Sequence, residues 1–139
     1  MYLLDTNIVS ELRRPDRADP SVRGWAEGQD AAGYFLSAVT ALEIERGVLL
    51  TERRDPRQGG QLRSWLEEEL LPAFEGRILP IDTAVARRCA ALHVPDPKPE
   101  RDALIAATAL VHRLTVVTRN VADFQGTGVR LLDPWRQEN

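Results

Sequence analysis

Cysteine, lysine and long apolar runs are almost missing from this 139-residue chain. Cys89 is the only cysteine, which excludes an internal disulfide and makes a reducing compartment, the cytoplasm, the expected setting. It falls on an apolar helical stripe and reads as core filling. No apolar run approaches the roughly 20 residues of a membrane span. The N-terminus has no basic segment followed by an apolar one, so neither a membrane anchor nor a secretory leader is expected. Lys98 is the only lysine; the remaining basic residues are arginines, clustered at Arg13, Arg14 and Arg17 and at Arg53, Arg54 and Arg57. Such clusters are either solvated surface or contacts to phosphate or an acidic partner, for which the guanidinium fork is suited. A net charge of −3 argues against a surface uniformly coated for nucleic acid, while leaving room for a local basic groove.

What is present is an ordinary globular composition, 43% hydrophobic and 28% charged, of a length that suits one domain with a real core. A short apolar run, Tyr2-Leu3-Leu4, delivers an acid into the polar string Asp5-Thr6-Asn7. A helix over 7–13 follows and ends before Pro15. Asp19-Pro20-Ser21 opens a second helix with Val22, Trp25 and Ala26 on its inner face. Tyr34–Ser37 reads as a strand. Thr40 then looks like an N-cap with Glu43 as its capping-box partner, and Gly47, four residues beyond Glu43, suggests a close approach within that helix. Pro56–Gly60 is a turn or a helix opening, after which Leu62, Trp65, Leu66, Leu70 and Phe74 recur at helical spacing until Gly76. Arg77–Ile81 and Leu114–Thr118 read as strands, and Val129–Leu132 as a last one. A helix marked by Val85, Cys89 and Leu92 closes in the loop Pro95–Pro99. The helix from Asp102 is apolar on nearly every face and is expected to be buried. Strands alternating with helices predict an α/β fold with a mostly parallel sheet, whose sites form beyond the carboxyl ends of the strands.

Four acids stand at such ends: Asp5 after the first strand, Glu43 and Asp102 near helix starts, and Asp123 a few residues after the strand ending at Thr118. Each alone has a plain structural explanation as a helix cap or turn former. Together they form the oxygen-rich set that a hard cation such as Mg2+ or Mn2+ needs, and crowded without a cation they would repel. His93 and His112 lack the spacing of a zinc pair, and there is neither a nucleophile elbow nor a P-loop.

Leu4–Asn7, Ser37–Ile44, Asp102–Ala109 and Thr118–Phe124, in that order and with ordinary spacing, resemble the four motifs of the PIN-domain ribonucleases, closest to the VapC/FitB-type toxins of bacterial toxin–antitoxin pairs. The resemblance extends over the whole chain, including Arg77-Ile78-Leu79-Pro80 and Asp133-Pro134-Trp135. It implies one PIN domain over residues 1–139, with a mostly parallel five-stranded sheet sandwiched between helices. It implies a Mg2+ or Mn2+ site in which Asp5 and Asp102 are direct ligands and Glu43 and Asp123 complete the set, directly or through water. Thr118 matches a hydroxyl position near the metal, and Thr6, Asn7 and Asn120 are candidate supporting groups; helix capping and turn formation explain these four equally well. The implied activity is hydrolysis of RNA by metal-activated water. The implied partners are a second copy of the chain and a cognate antitoxin, which blocks the groove with a basic side chain and binds operator DNA at its other end. One departure from the pattern is the proline-rich loop before Asp102, with Glu100 and Arg101 where small residues are expected.

Three alternatives remain. A receiver-type signalling domain needs a lysine after a late strand, and Lys98 instead sits in the proline-rich loop. A phosphatase of the haloacid dehalogenase type needs a second acid where Asn7 stands. A catalytically silent PIN fold that binds RNA or protein would not need all four acids.

Overall fold

The computed structural model describes residues 1–136; the last three residues of the expected 1–139 domain lie outside the described residues. Five strands form a parallel sheet in the order β3-β2-β1-β4-β5: β1 (Tyr2–Leu4), β2 (Tyr34–Ser37), β3 (Ile78–Leu79), β4 (Thr115–Val117) and β5 (Leu131–Leu132). All are short, and the first one in sequence lies at the centre. Its neighbours are the strands that follow it at Tyr34 and at Thr115, so the chain winds outward from β1 in both directions. Ligand sites in open parallel sheets gather where the winding reverses, outside the carboxyl ends of the strands. Here that point lies at the end of β1.

The pleat decides which helices cover which face. Leu3 and Val116 are buried on one side with Ile105, Ala106 and Ala109 of α7 (Glu100–His112). Leu4 and Val117, one residue further on, point to the other side. There they meet Ile8 and Val9 of α1 (Thr6–Leu12), Ile44 and Val48 of α3 (Ala38–Arg54), and Leu66 and Leu70. Helix α2 (Pro20–Glu27) packs on α1 with Val22 buried, and Asp19 caps it through the Ser21 and Val22 N–H groups. The stripe from Leu62 to Phe74 is nearly continuous: α4 (Pro56–Trp65) passes through a π-turn at Leu66–Leu70 into α5 (Leu71–Ala73). Gly76, at φ +77°, ends that run in the left-handed region that glycine enters at little cost. Helix α6 (Thr83–Leu92) packs on α7 through Val85 and Cys89, against Ala103 and Ala107. The expected burial of α7 is therefore met: Ala103 and Ile105 to Ala109 are all buried.

Two helix starts differ from expectation. Ser37, not Thr40, caps α3: its backbone is extended (φ −86°, ψ 150°) and its hydroxyl accepts from the Val39 N–H at 3.1 Å. The cap moves three residues upstream because β2 runs straight into the helix, leaving Thr40 buried inside it with no hydrogen-bond partner for its hydroxyl among the described residues. Helix α7 likewise begins at Glu100 after Pro99, which places Asp102 within the first turn rather than at the cap.

Gly47 also differs from expectation. A Cβ built there meets nothing within 4 Å among the described residues, so none of them requires the glycine. The close approach is at Gly59 instead, where α4 folds back on α3 after Asp55 and a Cβ would stand 2.3 Å from the Glu52 Cα. Alanine substitutions at the two glycines are therefore expected to act in opposite directions. Gly47→Ala should stabilise by up to about 1 kcal/mol through helix propensity. Gly59→Ala should destabilise by about 1–3 kcal/mol, because backbone must shift to admit the methyl group. Urea unfolding midpoints of the two variants check both signs.

Candidate active site

Asp5 is the fixed point of the site. Its N–H continues the β1–β4 ladder by donating to the Val117 carbonyl at 3.0 Å, and its carboxylate is fully buried. Oδ1 accepts from the Thr6 N–H at 2.8 Å, capping α1, and Oδ2 accepts from the Thr118 hydroxyl at 2.8 Å. Thr118, also fully buried, is held in turn by the Asn7 side-chain amide at 3.2 Å and the Asn120 N–H at 3.0 Å, both donating to its Oγ1. The Thr6 hydroxyl donates to Glu43 Oε1 at 2.7 Å. All four polar residues singled out in the sequence thus surround the acids, Asn120 through its backbone.

Asp5, Glu43 and Asp102 converge, as their places at the carboxyl edge predict. What they converge on is Arg101. Its Nε donates to Glu43 Oε2 at 2.7 Å, Nη1 to Asp102 Oδ1 at 2.8 Å, and Nη2 to Asp5 Oδ1 and, at 3.5 Å, to Thr6 Oγ1. Burial pushes the Glu43 carboxyl up, but the hydrogen bonds from Arg101 and Thr6 and the charges of Arg101 and Arg46 outweigh it and hold the carboxyl below its ordinary value. Arg101 is itself penalised by burial, yet its bonds to the three acids raise it further above neutrality. No motif in the sequence assigns Arg101 a role. The signal that pointed to it was its departure from the expected small residue.

Asp123 stands apart. It lies exposed in the single helical turn Val121–Phe124, its N–H donates to the Asn120 carbonyl at 3.0 Å, and no bond joins it to the other acids among the described residues. The oxygen-only donor set of Asp5, Glu43, Asp102 and the Thr118 hydroxyl fits a hard divalent cation in chemistry. In this arrangement these acids do not gather three ligand atoms within 4.8 Å of one another.

A cleft of about 230 Å³ opens beside the acids, lined by Thr6, Ser10, Arg13, Glu43, Gly47 and Trp65 among others. Arg13 stacks over Trp65 at 5.9 Å, so one member of the first arginine cluster faces this cleft. Arg53, Arg54 and Arg57 lie exposed at the α3–α4 turn, the first two in the last turn of α3, where cations suit the helix dipole.

Cys89 is buried, as its stripe predicts, with Sγ 3.7 Å from His93 Nε2 and 3.9 Å from Glu100 Oε1. Burial and the nearby Glu100 raise its thiol above the ordinary value, which disfavours a nucleophilic thiolate. His93 Nδ1 accepts from the Lys98 N–H at 3.1 Å, so in the neutral ring Nε2 carries the proton and has no lone pair for a metal.

An acid cluster beyond the carboxyl edge of a helix-flanked parallel sheet defines the class: an α/β domain with a carboxylate site at its topological switch point. The chain belongs to the PIN-domain family, whose model matches residues 2–127. It is similar to the VapC ribonuclease Y4jK of Sinorhizobium fredii, 37% identical over 142 residues that cover 97% of this chain and 98% of that protein. It is also similar to the toxin FitB of Neisseria gonorrhoeae, 38% identical over 141 residues covering 97% and 99%. The crystal structure of FitAcB from Neisseria gonorrhoeae matches with a TM-score of 0.90 at 36% identity, over 99% of this chain and 100% of that one.

Two stability effects follow from the site. Thr118→Val removes the three hydrogen bonds at its hydroxyl and leaves Asp5 Oδ2 without that donor; a loss of about 1–3 kcal/mol is expected from urea unfolding. Because Glu43 is held below its ordinary pKa, its contribution is present above that ordinary value and is lost as pH falls through the depressed one. Acid titration of the metal-free protein, followed by unfolding midpoint, should show this loss, and Glu43→Gln should flatten that part of the profile.

Proposed function

We propose that this chain is a divalent-metal-dependent endoribonuclease and the toxin of a toxin–antitoxin pair. The observation that carries the reading is the convergence of Asp5, Glu43 and Asp102 at the carboxyl end of β1, with Asp5 locked by Thr6 and Thr118. The names of its relatives, a VapC ribonuclease and a toxin, support the reaction class and the biological role.

Asp5, Asp102 and Glu43 would hold the cation, with Asp123 joining directly or through water. A bound Mg2+ or Mn2+ supplies neutralisation of the phosphodiester and a lowered pKa for attacking water. The residues of the chain do the positioning. Thr118 and the Thr6 N–H fix both oxygens of Asp5, and the Thr6 hydroxyl orients Glu43, so the acids present charge at defined points. Asn7 and the Asn120 N–H hold Thr118 in register. In the adjacent cleft, Arg13 and Trp65 offer a cation and an aromatic face, groups that contact the phosphates and unstacked bases of single-stranded RNA. Attack by water, rather than by the ribose 2′-hydroxyl, gives products with 5′-phosphate and 3′-hydroxyl ends.

Its partners are proposed on the same footing: a second copy of the chain, and an antitoxin that covers the site and binds operator DNA. Two similar structures bear on the second partner, FitAcB and FitAB bound to a DNA fragment.

Purified protein freed of any partner is expected to cut RNA with Mg2+ or Mn2+ and not with EDTA. Asp5→Asn and Asp102→Asn should lower the rate by about 100-fold or more, the scale of losing a group that stabilises transition-state charge. End mapping of the fragments reads the chemistry. Folded wild-type protein that binds Mn2+ but cuts neither tRNA, rRNA nor mixed RNA would favour the silent PIN fold, a binding module, instead.

A further inference from the structure

Three carboxylates around one point need a compensating charge, and here the chain supplies it from its own sequence. All three guanidinium nitrogens of Arg101 reach the acids: Nε donates to Glu43, Nη1 to Asp102, and Nη2 to Asp5 and also to Thr6. The oxygens it binds, Glu43 Oε2, Asp102 Oδ1 and Asp5 Oδ1, are brought together on one guanidinium. A planar fork holds such oxygens further apart than a single ion does. Consistent with this, the one set of three candidate ligand atoms within 4.8 Å among the described residues is Cys89, His93 and Glu100, not the acids. The three acids cannot close on one cation while Arg101 stands between them.

We propose that Arg101 and the divalent cation are alternative occupants of one acidic site, so that the guanidinium plugs the metal-free site and withdraws when a cation enters. The inference rests on the metal-dependent reading above and adds a competition within the chain itself. Arg101 lies in the first turn of α7 and its side chain is 34% exposed, so the guanidinium already borders solvent. Asp5, by contrast, is fully buried and anchored at both oxygens, so the acid stays and the arginine moves. Occupancy by one cation excludes the other, and linkage makes this reciprocal: Arg101 weakens the metal, and the metal releases Arg101. Lysine would replace it only in part, because an ammonium lacks the separate, rigid fork positions of the guanidinium.

The test uses the full chain freed of any partner. Mn2+ binding is followed by the electron paramagnetic resonance of free Mn2+ for wild type, Arg101→Gln, Arg101→Lys and Asp5→Asn. In parallel, the Nε–H resonance of Arg101 in 15N-labelled wild type is recorded while Mg2+ is added. Arg101→Gln is expected to bind Mn2+ about tenfold more tightly or better, within the ordinary range of coupling between sites. Arg101→Lys should fall between, and Asp5→Asn should bind weakly. The Arg101 Nε–H should move, on saturation with Mg2+, to the position and rapid solvent exchange of a free arginine. Equal Mn2+ affinity in wild type and Arg101→Gln, with the Nε–H unmoved by saturating Mg2+, overturns the inference and leaves the metal site standing. If neither protein binds Mn2+, the metal-dependent reading itself falls. Should Arg101→Gln fail to fold, the wild-type Nε–H titration decides by itself.

Discussion

A fully buried carboxylate at the end of the central strand is the constraint on which the rest depends. Asp5 is removed from water by the fold, and an ionised group so placed is tolerated only with charge and hydrogen bonds around it. The surroundings supply these in layers. Thr6 and Thr118 donate to its two oxygens, Asn7 and Asn120 hold Thr118, and Arg101 provides the positive charge. Glu43 and Asp102 then share that same guanidinium, so a single cationic group stabilises three anions. The arrangement is one in which removing any member leaves the others costly.

The sheet makes this possible by position rather than by size. With β1 central and the chain winding outward on both sides, the segments after β1, β2 and β4 emerge side by side at one edge. Each delivers part of the site: Asp5 to Asn7 after β1, Glu43 in the helix that grows directly from β2, and Thr118 to Asn120 after β4. Helix α7 brings Arg101 and Asp102 to the same edge at its first turn. Its Ile105, Ala106 and Ala109 pack on the far face of the sheet and its Ala103 and Ala107 on α6, so the end that carries the charges is anchored by an apolar body. The α3–α4 hairpin, closed at Gly59, holds the opposite wall and sets the cleft where Arg13 and Trp65 meet.

Much of this was legible from local pattern. Alternating short apolar strands and amphipathic helices announced the parallel α/β sheet, and Asp5, Glu43 and Asp102 stood where such a sheet gathers its sites. The caps were less legible. Thr40 has the residue type and spacing of a capping box, but a cap also needs an extended backbone, and β2 imposes that at Ser37. Gly47 and Gly59 carry the same residue in similar helices, and only the fold-back of α4 onto α3 decides which is crowded. Asp123 follows β4 at the expected distance, yet the turn after Asn120 leaves it in solvent, with no bond to the cluster among the described residues.

Arg101 marks the boundary between the two kinds of knowledge. Its sequence neighbourhood shows an arginine in a loop-to-helix junction where a small residue was expected, and nothing of what it binds. Its partners Glu43 and Asp5 lie 58 and 96 residues away in the chain. The sequence by itself determined the periodicities, the strand and helix order, and the acids, because each is a property of neighbouring residues. Tertiary structure alone decided which acids meet, which glycine is crowded and which cation stands among the carboxylates. Those are contacts between distant segments, and only the closure of the sheet brings them within hydrogen-bond reach.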